Sequence, residues 1–161
     1  MESTRNLASV LWGLWVLVFA GVAHGAPANV SVAESSNQNG VIEVAVLLDQ
    51  ADAARRPVLA EVFVEFDAKH LIFMTAEAGE QAAAARKSVF AHEVSKGVIR
   101  FTIAGTNLRP MANGKIAMLR FSGRTAGPAR VALDPKRTKF APKRAREGLR
   151  YGGPITIQVS K

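Results

Sequence analysis

The chain has 161 residues, of which 48% are apolar and 21% charged, with 21 Lys and Arg against 13 Asp and Glu and a formal net charge of +8. This composition is globular, and it excludes a disordered chain, a long coiled coil and a polytopic membrane protein, since only one apolar stretch approaches membrane-spanning length. Cysteine is absent, which removes disulfide staples, zinc-thiolate sites, thiol redox motifs and cysteine nucleophiles.

The apolar stretch comes first. Met1 to Asn6 is short and polar and carries Arg5, and Leu7 to Ala23 follows as an apolar run. Ala23 and Gly25 place small residues at the −3 and −1 positions of a cut before Ala26, the layout of a secretory signal. Residues 1–25 are therefore expected to be a cleaved signal peptide, with the protein secreted, periplasmic or at the cell surface and without a membrane span after cleavage. The alternative is a retained N-terminal anchor. Residues 26–161 read as one domain, long enough to bury about two thirds of its unfolded surface without staples.

From Ala26 onward the dominant period is two. Alternation over Ile42 to Leu48, Val58 to Phe66, Ile99 to Ile103, Val131 to Leu133 and Ile155 to Val159 marks strands with one buried face. Asn29 to Ala33, Leu71 to Thr75, Val89 to Glu93 and Lys115 to Ser122 bring the number of candidate strands to nine. Glu77 to Arg86, with four alanines at 82 to 85, predicts a short helix or a mobile loop. Many short strands separated by turn residues, with no alternating helices, predict an all-β, antiparallel jelly-roll β-sandwich.

The order of these segments resembles the cohesin domain family over roughly residues 29 to 159. The resemblance is carried by Val58-Leu-Ala-Glu-Val-Phe-Val-Glu-Phe-Asp67 with Leu71-Ile-Phe and Ala78-Gly79 after it, by Gly97-Val-Ile-Arg-Phe-Thr-Ile103, by Gly114-Lys-Ile-Ala-Met-Leu-Arg-Phe121 and by the closing Gly153-Pro-Ile-Thr-Ile-Gln-Val159. It implies a nine-stranded cohesin-like sandwich related to carbohydrate-binding modules. It also implies a non-enzymatic exported module for dockerin-type protein binding, or for assembly at a cell surface or on polysaccharide. Strong basicity and a long Lys/Arg-rich segment before the last strand depart from the usual cellulosomal pattern.

Catalytic signals are sparse. No nucleophile elbow, HExxH, P-loop or dinucleotide fingerprint is present, and His70 and His92 stand outside any metal-ligand spacing. No catalytic residue, metal or cofactor is assigned. Glu61 and Glu65 on one strand face would lie about 13 Å apart, too far for a glycosidase pair. Asp67 reads as a turn cap, although a hydrolase using Glu65 and Asp67 is the enzymatic alternative. Both tryptophans, Trp12 and Trp15, precede residue 26, which leaves Tyr151 as the one remaining ring of the kind that usually stacks on sugars. A protein partner therefore ranks above direct polysaccharide binding, and nucleic acid is not expected because no reading helix or interleaved aromatics accompany the basic residues.

Two surfaces remain as candidates. Phe63 falls on the wetter face of its strand between Glu61 and Glu65, and the resemblance places the partner across the strands holding Glu61, Phe63, Glu65, Arg100 and Thr102. A loop covering Phe63, or a bulge reversing the strand, is the bland reading. The other surface is Arg120 to Arg150, which carries ten Lys and Arg against Asp134 and Glu147. Pro135 and Pro142 suggest an extended loop whose Lys136, Arg137, Lys139, Lys143, Arg144 and Arg146 could spread along an acidic polymer or simply be solvated.

Overall fold

The computed structural model describes residues 30–160. The expected signal peptide, its cleavage and the anchor alternative lie outside the described residues. Among those residues no helix is long and apolar enough to cross a membrane.

The strands are β1 (Val30–Gln38), β2 (Val41–Leu48), β3 (Leu59–Phe66), β4 (Leu71–Ala78), β5 (Ser88–Ser95), β6 (Val98–Ala104), β7 (Gly114–Gly123), β8 (Gly127–Leu133), β9 (Lys139–Ala141) and β10 (Ile155–Val159). They form a four-stranded sheet in the order β1-β2-β7-β4 and a second sheet in the order β10-β8-β3-β6-β5, with β9 also paired to β3. Every pairing between these strands is antiparallel. All nine expected strands are present, and the count of nine needs one correction. A tenth, β9, lies inside the segment expected to be an extended loop.

Local chemistry explains the joins. Asn39 and Gly40 both have positive φ (53° and 74°), the geometry of a two-residue hairpin turn, and they carry β1 into β2. Glu77 and Ala78 extend β4 against Met118 and Ala117, so the helix α1 shrinks to Glu80–Ala84. Gly79 begins it because the chain touches β7 there: a Cβ would come within 2.4 Å of the Lys115 carbonyl oxygen.

The core lies between the sheets. In β3, Ala60, Val62 and Val64 point inward and are fully buried, opposite Ile103, Phe101 and Ile99 of β6. Phe121 of β7 meets Phe66 of β3 across the sandwich with ring centroids 5.2 Å apart, and its neighbour Phe73 on β4 of its own sheet at 6.0 Å. Such ring pairs add about 0.5–1.5 kcal/mol each to the area they bury, so this triad ties the two sheets together.

Candidate binding face

Because opposed residues in an antiparallel ladder share a face, the register lays out the outside of the larger sheet in rows. One row runs Phe90, Thr102, Glu61, Lys139 across β5, β6, β3 and β9. The next runs His92, Arg100, Phe63, and a third runs Val98, Glu65, Ala132. Glu61, Phe63, Glu65, Arg100 and Thr102 thus stand together on one face, as strand alternation places them.

Phe63 is nevertheless not an exposed anchor. It is 9% exposed although it stands outside the core cluster. The turn after β8 covers it: the Asp134 amide donates to the Phe63 carbonyl (2.9 Å), and the Phe63 amide donates to Thr138 Oγ1 (3.2 Å). The Arg137 guanidinium then lies 4.0 Å from the ring centroid, where the ring's negative face attracts it. The strand parity is as expected; the cover comes from some 75 residues downstream.

The charges around it are paired in rows. Arg100 contacts Glu61 at 2.6 Å, with Lys139 on the other side of the same carboxylate at 3.8 Å. Arg130 reaches Glu65 at 3.9 Å and Arg137 reaches Asp134 at 3.8 Å. Arg100, Arg130, Arg137 and Lys139 outnumber Glu61, Glu65 and Asp134, so the face keeps a small positive excess. At its end a cleft of about 380 Å³ opens between Glu65, Asp67, Val98 and Arg130.

The exposed aromatic on this face is Phe90. It is 65% exposed on the edge strand β5, while its neighbours Val89 and Ala91 pack inward against the core. The alternation Val89-Phe90-Ala91-His92 carried the signal, since a strand that buries Val89 and Ala91 must turn Phe90 and His92 out.

The basic segment is ordered, not an extended loop. Thr138, Phe140 and Ala145 are buried, and Lys143–Ala145 form a 3-10 turn. Its charges also separate. Arg120 lies on the four-stranded sheet between Glu43 (2.9 Å) and Glu77 (2.6 Å), and its hydrogen bond, with that of Ser36, holds the Glu43 carboxyl below the usual range. Arg137 and Lys139 belong to the outer face of the larger sheet, while Lys136, Lys143, Arg144 and Arg146 remain exposed without an ion pair among the described residues.

Asp67 is a turn cap: its Oδ1 accepts from the Lys69 amide (3.0 Å), and its carbonyl accepts from the His70 and Leu71 amides. His70 is buried, with Nδ1 2.9 Å from the Thr125 carbonyl. No group of His, Asp and Glu that could hold a metal occurs among the described residues. The partly buried Tyr151 ring packs against the core and its hydroxyl is buried, which pushes the phenol pKa up.

No protein-family model and no curated protein matches this sequence. Solved structures do match by shape. The chain superposes on the sixth cohesin of Acetivibrio cellulolyticus scaffoldin B, solved in complex with a dockerin, with a TM-score of 0.67 at 15% identity, covering 84% of this chain and 100% of that one. A non-cellulosomal cohesin from the archaeon Archaeoglobus fulgidus gives 0.62 at 13% identity, over 84% and 93% of the two chains. The cohesin module of a Clostridium perfringens family 33 glycoside hydrolase gives 0.60 at 11%, over 83% and 96%. The fold is therefore a cohesin-like β-sandwich.

Proposed function

We propose that this chain is a non-enzymatic, exported binding module that receives a protein partner on the outer face of its larger sheet, with Phe90 as the apolar contact. Several solved cohesins of this fold are complexes with dockerins, which supports a protein-binding role here. The single observation behind the choice of face is an aromatic ring left 65% open beside Thr102, His92 and Arg100. Exposed aromatics framed by polar residues are the composition of interface anchors. The excess of arginine and lysine on the face suits a partner with acidic side chains around an apolar centre, and a dockerin-type module is the first candidate. Assembly on polysaccharide would then be indirect, through the partner.

Binding of dockerin-bearing or co-exported proteins to the immobilised chain tests the reading. Phe90→Ala should weaken a captured partner by roughly 1–3 kcal/mol, while Met74→Ala, an exposed residue of β4 on the other sheet, should leave it unchanged. Equal binding by the Phe90 variant would move the interface elsewhere.

A further inference from the structure

At one end of the sandwich the loops before β3 and before β7 meet the segment after β9 and line an open groove of about 320 Å³, with Leu108, 85% exposed, at its rim. Its apolar lining residues are Ala53, Ala54, Val58, Leu108, Pro110 and Pro142, and its charged lining residues are Arg56 and Arg144. No carboxylate lines it. Asp52, the acid closest in sequence, is taken by the Ala54 amide (2.9 Å) and by Arg55 (3.4 Å). Neither Arg56 nor Arg144 has an ion pair among the described residues, and Arg56 Nε is buried without a hydrogen-bond acceptor. That nitrogen is closed to solvent, so what the groove offers a ligand is the charge of two guanidinium groups that no carboxylate neutralises, not this donor.

The walls are fastened to one another by two backbone hydrogen bonds and one from a side chain. The Val58 amide donates to the Ala141 carbonyl (2.8 Å), the Met111 amide to the Pro57 carbonyl (2.8 Å) and Arg55 Nη1 to the Glu147 carbonyl (3.4 Å). Met111 is itself fully buried behind the groove's lip. A groove held this way exists before any ligand arrives, which lowers the ordering cost of binding.

We infer that this groove is a second binding site, separate from the sheet face, for a small monocarboxylate with an aliphatic or aromatic body. Guanidinium forks match the two oxygens of a carboxylate, and apolar walls take the carbon chain. The volume sits at the low end for ligand sites, so the body is short. A polyanion would not use the apolar walls.

Calorimetric titration of the purified protein with octanoate, octanamide and heparin tests this. Octanoate should bind saturably, octanamide at least tenfold more weakly, and heparin should fail to displace octanoate. Arg144→Gln, at an exposed position, should lower octanoate affinity about tenfold, and Arg56→Gln should do the same if it folds; amide shift changes should cluster at residues 53–58 and 108–111. Equal binding of acid and amide, an unchanged Arg144 variant, or displacement by heparin would each overturn the assignment. None of these readouts depends on a partner at Phe90.

Discussion

Phe63 and Phe90 stand on the same face of the same sheet, two strands apart, and meet opposite fates. Phe63 lies where the 134–138 turn folds over the sheet, so its ring is roofed by Arg137 and its amide is held by Thr138. Phe90 lies on β5, the last strand of that sheet, where nothing among the described residues returns to cover it. Side-chain type and strand parity are the same at both positions. What separates them is topology, because a central strand is reached by later segments of the chain and an edge strand is not.

Stability measurements can break this contrast or sharpen it. Phe63→Ala should cost about 3 kcal/mol in denaturant unfolding, because it empties a covered site that relaxes only partly. Thr138→Val keeps the shape but removes the acceptor for the Phe63 amide, and should cost about 1–2 kcal/mol through the buried donor it leaves. Arg137→Ala should cost about 0.5–1 kcal/mol, the usual worth of a partly exposed cation over a ring, and should bare Phe63 to solvent. Phe90→Ala should change stability by less than about 0.5 kcal/mol, the range for surface positions. If Phe90→Ala instead destabilises as much as Phe63→Ala, β5 is covered as β3 is, and the proposed face loses its anchor.

The same contrast shows what the sequence could and could not carry. Strand alternation marks all nine longer strands and the face on which Glu61, Phe63, Glu65, Arg100 and Thr102 stand, because the pleat is a local property. β9 escapes it: three residues, Lys139-Phe140-Ala141, are too few to show a period and sit beside a proline. A loop over Phe63 is one of the readings the sequence leaves open, but which loop is illegible, since the contact joins positions far apart in sequence and Thr138 and Arg137 look like ordinary loop residues. Phe90 was within reach, since Val89 and Ala91 had to be buried. The paired roles of Arg137 and Lys139 were hidden by their place in a run of like charges, which reads as one patch until the fold distributes it.

The way β3 is paired also governs when this protein can fold. Its residues 59–66 take partners from 98–103, from 131–133 and from 139–141, none of them adjacent in the chain. Each partner must close a long loop before any pairing contributes, which makes the transition state late and the folding rate slow for the chain's size. On a ribosome, β3 would emerge with both of its edges open and keep one of them open until the segment through Ala141 had appeared. The centre of the sheet is therefore complete only after residue 141 has appeared, and a chain truncated before residue 139 lacks the strand that completes it.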